Sequence, residues 1–120
     1  MGIGLLKQTV TNHSGVFTPN ALVYGFFDLE LNGDSTIAAP TGLVLAQFQP
    51  LAFRIVGDPG NAGNVSLGWA SAWINPGSPG ALPDVVEPGG ENYVLISCHN
   101  GIYVPLFTLD SQNGPRWPRP

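Results

Sequence analysis

Hydrophobic and polar positions alternate with period two in short runs, and turn residues cut those runs about every 8–12 positions, the rhythm of an all-β domain. Residues 22–31 (LVYGFFDLEL) carry the clearest pattern. Val23, Phe27, Leu29 and Leu31 fall on one face of a strand, and Tyr24, Phe26, Asp28 and Glu30 on the other, apolar at one end and acidic at the other. The pair Asn32-Gly33 predicts a type I′ hairpin, with a return strand over 34–39 stopped by Pro40. Upstream, 3–11 reads as a first strand or an extended arm, and Asn12–Gly15 and Thr18–Asn20 read as turns.

Within 42–56 the apolar parity changes. Val44, Ala46 and Phe48 share one face, and Leu51, Phe53 and Ile55 the other, so Pro50 marks a bulge or a corner. Asp58–Asn64 is a loop, and 65–74 reads as a strand with Val65, Leu67, Trp69 and Trp73 on one face. The opposite face, Gly68, Ala70 and Ala72, is small enough to let another backbone approach. Residues 75–92 form the longest irregular stretch, with a short Val85-Val86 core. Segments 93–98 and 102–109 form a hairpin across Asn100-Gly101. No internal repeat is evident. The expected fold is an antiparallel β-sandwich or small barrel, jelly-roll or immunoglobulin-like, of seven to eight short strands over 1–114, followed by an extended arm over 115–120.

Composition changes the picture in one respect. The 120 residues include only four Lys or Arg and eight Asp or Glu, 10% charged against about 25% in an ordinary soluble domain. Gly (16) and Pro (12) are abundant. A surface so poor in charge suits contact with other proteins. The net charge of −4 and the lack of a basic patch argue against nucleic acid. No run approaches the roughly 20 apolar residues of a membrane span, and the first residues lack the basic segment of a signal peptide. The lone Cys98 allows no internal disulfide and suits a protein made in a reducing cytoplasm.

Candidate chemistry is sparse. Asp28, Glu30 and Asp34 stand around the first Asn-Gly pair as weak calcium ligands, or as a solvated acidic strand end that discourages edge pairing. Trp69 and Trp73, with Tyr103, form an aromatic platform for a glycan if they are exposed; otherwise the two indoles fill the core beside Val65 and Leu67. Cys98 and His99 are adjacent in a strand and point to opposite faces, so they cannot act as nucleophile and base. No catalytic motif is present, and neither a cofactor nor a resident metal is expected.

The C-terminal segment is the sharpest feature. Pro115, Pro118 and Pro120 favour an extended polyproline II arm, and Trp117 stands between Arg116 and Arg119. Such an arm either lays Trp117 into a neighbouring subunit or folds back on its own sheet. In composition the chain resembles small virion structural proteins, above all decoration (cement) and head or tail accessory proteins of bacteriophages. That resemblance implies a non-enzymatic virion protein made in the host cytoplasm. It would form small oligomers, trimers first, and sit on a larger capsid or tail protein. The expected interface takes Arg116, Trp117, Pro118 and Arg119, the apolar Leu5 and Leu6, the small Gly68, Ala70 and Ala72, and Val85 and Val86. The alternative is a carbohydrate-binding module using Trp69, Trp73 and Tyr103.

Overall fold

The structure is a computed structural model, and it describes residues 6–43, 49–74, 82–99, 102–110 and 114–116. The fold is all-β. Six strands of five residues or more build one mixed, strongly curled half-barrel sheet: β1 (Leu6–Phe17), β2 (Tyr24–Ile37), β3 (Gln49–Gly57), β4 (Val65–Trp69), β6 (Glu91–His99) and β7 (Ile102–Asp110). Two short strands, β5 (Val85–Val86) and β8 (Gly114–Arg116), extend it at its ends. The only helical piece among the described residues is the single turn α1 (Ser71–Ile74).

The sheet is not the expected antiparallel one. β1 runs parallel to β2, and β3 and β4 run parallel to successive halves of the other edge of β2, Phe26–Leu31 and Ser35–Ile37. Only the flanking pairs β3–β6, β4–β5, β6–β7 and β7–β8 are antiparallel. The chain therefore begins as three stacked turns of a coil, over 6–17, 24–37 and 49–69, and then reverses. Curvature makes this possible. A straight strand of 14 residues spans about 46 Å. Yet Ala21, just before β2, donates to the Thr41 carbonyl beyond its far end at 2.7 Å. β2 must bend round on itself.

The bends fall where turn residues stand in the sequence. At one corner lie Asn12–Gly15 of β1, Asn32-Gly33 of β2 and the Asp58–Asn64 loop between β3 and β4. Asn12 and Gly15 take positive φ (54° and 87°), and the β1–β2 register slips on either side of His13. Gly33 passes so close to Ser14 that an added Cβ would lie 3.0 Å from the Ser14 Cβ. Asn61 and the Asp58 amide both donate to the Leu31 carbonyl, at 3.0 and 2.9 Å. The predicted hairpin at Asn32-Gly33 is thus a corner within one continuous strand, and so is the predicted turn at Asn12–Gly15. A second corner stacks Phe17–Asn20 on Ala38–Thr41: Ala38 donates to Phe17 at 2.8 Å and Thr41 to Pro19 at 2.9 Å. There the segments Pro19-Asn-Ala-Leu and Pro40-Thr-Gly-Leu lie side by side, Asn20 bridging Thr41 at an offset of 21. This short internal repeat is a feature the sequence analysis missed.

The concave side of the sheet holds the core. Phe27, Leu29 and Leu31 of β2 and Leu51, Phe53 and Ile55 of β3 are fully or almost fully buried, as their parity predicts. Phe53 stacks on Phe27 at 5.1 Å between ring centroids and meets Trp69 and Trp73 edge-on at 5.6 and 5.7 Å, geometries favoured by the ring quadrupoles. Strand β4 stops at Trp69, short of the expected strand over 65–74. The Ala70 amide joins the Ile37 carbonyl at 2.9 Å, and the α1 turn then folds Trp73 inward. In the antiparallel half, β6 and β7 pair directly from His99 and Ile102, so the expected hairpin across Asn100-Gly101 is present.

Candidate functional site

Positions that alternate with the core line the convex, outward face of β2, β3 and β6. Register sets them in rows: Lys7, Phe26, Ala52 and Leu95 form one, Thr9, Asp28, Arg54 and Tyr93 the next, and Glu30, Val56 and Glu91 a third. The gradient within β2, from aromatic Phe26 to acidic Asp28 and Glu30, thus becomes a gradient across the sheet.

The middle rows form a closed polar network. Arg54 donates from Nη1 to Asp28 Oδ1 at 2.9 Å, and its Nε and Nη2 reach Glu91 Oε1 at 3.0 and 2.8 Å. The Tyr93 hydroxyl donates to the same Glu91 oxygen at 2.9 Å, and Lys7 Nζ lies 4.0 Å from Asp28 Oδ2. The Tyr93 hydroxyl, and after it the Arg54 guanidinium, hold the Glu91 carboxyl below the usual carboxylate range. The Arg54 guanidinium is shifted in the opposite sense, upward, by Tyr93 and then Asp28. A planar guanidinium gripped on two sides fixes its own geometry and that of Tyr93.

Beside this network lies an apolar groove. Phe26, Ala52, Tyr93 and Leu95 border it over Phe53 and Val94, and it encloses about 260 Å³. Tyr93 and Leu95 are 37% and 36% exposed, so two large apolar side chains stand open to water at its rim. The neighbouring polar groups bond to one another and not into the groove. Its chemistry is therefore that of an apolar binding surface. Cys98, the one thiol, is buried in β6, and burial pushes its pKa up to about 12, which keeps it a neutral thiol.

The residues singled out in the sequence are scattered. Trp73 is fully buried and donates its indole N–H to the Ala38 carbonyl at 2.9 Å; Trp69, half-buried, donates to Pro83 at 2.8 Å. Of the two placements open to these indoles, Trp73 takes the core and Trp69 packs half-buried against it, their N–H groups bonded internally. Tyr103 pairs in register with Cys98, and its side chain lies outside the described residues. The small face of Gly68, Ala70 and Ala72 is not a surface of one strand. Gly68 abuts Thr36, where a Cβ would meet Oγ1 at 3.2 Å, Ala70 packs against the core, and Ala72 belongs to α1. Leu6 is 61% exposed, while Val85 is exposed and Val86 buried, the two faces of β5. Asp28, Glu30 and Asp34 do not converge: Asp28 binds Arg54, and Asp34 accepts the Ser66 amide at 2.9 Å. Among the described residues no three His, Cys, Asp or Glu side chains gather closely enough to hold a metal ion. Pro115 and Arg116 lie within β8, opposite Leu109 and Thr108, so the first residues assigned to a free arm pair with the sheet edge. Leu5, Trp117, Pro118 and Arg119 lie outside the described residues.

Arg54, Tyr93, Ala52 and Leu95 carry the site and were missed. The Leu51–Ile55 alternation implied that Ala52 and Arg54 face outward. Residues 93–96 (YVLI) are apolar on both parities and gave no such sign. No protein-family profile, curated protein or solved structure matches the chain.

Proposed function

We propose that the chain is a non-enzymatic structural protein that works in many copies, a virion decoration or head or tail accessory protein seated on a larger capsid or tail protein. The observation that supports this reading most is the outward groove of Phe26, Ala52, Tyr93 and Leu95, whose charged neighbours are already paired with one another. Such a surface gains by being covered with apolar groups and has no free polar groups at its floor to orient a hydrophilic ligand. Exposed Leu6, Val16, Leu22 and Val85 add apolar area elsewhere on the molecule. Repeated weak contacts of this kind hold a shell by avidity.

The test is the solution mass by light scattering over a range of concentrations, for the wild type and for Leu95→Glu. The reading expects a defined oligomer, trimeric by the composition-based expectation, that Leu95→Glu dissociates. A wild type that stays monomeric at high concentration and binds no purified particle would refute it.

A further inference from the structure

We propose that the groove bordered by Phe26, Ala52, Tyr93 and Leu95 receives Trp117–Pro120 of a second copy of this chain. The inference rests on the assembly reading and names the contact that would carry it.

Size and chemistry fit first. A cavity of about 150 Å³ lined by apolar side chains accommodates benzene, and this groove encloses about 260 Å³, room for a larger ring such as an indole. Two aromatic rings border it, and aromatic-lined grooves are the surfaces that recognise proline-rich extended segments. Pro118 and Pro120 lack backbone N–H groups, so Trp-Pro-Arg-Pro can lie on an apolar floor with two fewer donors left unpaired. A glycan would meet a floor without polar partners; this peptide needs few.

Charge fits next. The three outward rows carry three carboxylates (Asp28, Glu30, Glu91) against two cations (Lys7, Arg54). Glu30 forms no ion pair among the described residues, whereas Asp28 and Glu91 hold Arg54. A polyproline II segment rises about 3.1 Å per residue, so with Trp117 in the groove Arg119 lies about 6 Å further on. Its long side chain then reaches toward the acidic rows.

Reach decides between the same copy and another. Arg116 is paired in β8, opposite Thr108, and Trp117 follows it directly. From β8 the groove lies beyond β7, its near wall on β6 two strand spacings away, about 9.6 Å, and its floor running on to β3 at three, about 14 Å. One residue advances the chain at most about 3.8 Å. With β8 in place, the Trp117 Cα stays about 6 Å short of β6 and about 10 Å short of β3, so its ring does not lie over the groove floor of its own copy, whereas a neighbour's can.

Two variants and their mixture test this. Trp117→Ala removes the inserted ring and leaves the groove; Leu95→Glu spoils the groove and leaves the tail. Each alone is expected to weaken self-association by about tenfold or more, as for a buried aromatic anchor and its pocket. Mixed, they should form a one-to-one complex, because one intact tail still meets one intact groove. Near-ultraviolet circular dichroism of the Trp69–Trp73 pair confirms that each variant folds. If Trp117→Ala assembles like the wild type while Leu95→Glu does not, the groove is an interface but the tail is not its occupant, and the inference falls while the assembly reading stands. If the mixture stays dissociated, the inference also falls. A wild type that never self-associates removes the inference, and the assembly reading falls with it if the chain also binds no purified particle.

Discussion

β3 has a different partner on each edge. Along one edge it continues a parallel coil, where successive turns of chain lie on one another and the links are corners. Along the other it meets β6 in an antiparallel ladder of eight register pairs, from Gln49↔Cys98 to Val56↔Glu91. The parallel half turns on positive φ at Asn12, Gly15 and Gly42 and on register slips in β1, while the antiparallel half carries a positive φ at Gly89, before β6, and one slip in the β6–β7 ladder between Leu95 and Ile96. The antiparallel half reverses between His99 and Ile102 with a two-residue link. The outermost strand of the coil, β1, is exposed on both faces along most of its length, whereas β3 alternates strictly between buried and open. Stability therefore concentrates where the halves share β3, and the coil is stitched to that centre by its corners.

Truncating the shared aromatic cluster should have the largest effect. Trp73→Ala empties a fully buried site against Phe53 and removes the bond to Ala38, and is expected to cost about 3–5 kcal/mol by urea denaturation. Ile96→Ala, in the antiparallel half, should cost about 2–5 kcal/mol in the same single transition. Two separate transitions for either variant, by fluorescence and far-ultraviolet circular dichroism, would show that the halves fold independently. Next comes Gly57, where β3 leaves the ladder. An added Cβ would overlap the Glu87 carbonyl oxygen, held there by bonds from Gly57 to Gly90 (3.0 Å) and from Gly89 to Gly57 (2.8 Å). Gly57→Ala should lose about 1–3 kcal/mol, the usual cost of overpacking, read as a lower urea midpoint.

Asn32 sharpens the contrast most directly. It is an exposed residue inside a continuous strand, so Asn32→Thr should change stability by less than about 0.5 kcal/mol. A hairpin of type I′ at this point would instead suffer clearly, because Thr is a poor residue at positive φ. The smallest effect concerns acid. The Glu91 carboxyl has a lowered folded-state pKa, so its contribution is present above the ordinary glutamate value and fades as pH falls through the lowered one. Arg54→Ala should flatten the stability loss below about pH 4.3, the ordinary glutamate value, as followed by thermal melts at several pH values.

Two of the three Asn-Gly pairs, at 32–33 and 100–101, explain what could be read in advance. Both announced a change of direction, and both are places where the chain bends or reverses. Local turn chemistry does not say whether the next segment comes back antiparallel or continues round a corner, because that depends on what lies alongside. At 32–33 the neighbour is Ser14 in a parallel turn, and the close approach there explains the glycine as well as a hairpin would. Parity in β2 and β3 was legible because polar residues mark the outer face; in β6 they do not, and half of the groove went unseen. The indoles of Trp69 and Trp73 had two readings, and only the third dimension shows their N–H groups spent on Pro83 and Ala38.

The 21-residue offset at the Pro19 and Pro40 corners also bears on how such a chain can change length. One residue inserted into β2 would invert every side chain beyond it, turning Leu29 and Leu31 outward. A whole circuit inserted between the two corners would preserve every inward and outward assignment and add one layer to the stack. Lengthening by complete circuits should therefore be tolerated more readily than by one or two residues, and the circuits need not be equal: the register offset is 18 at Leu6↔Tyr24 and 20 at Phe17↔Ile37 but 26 at Phe26↔Ala52.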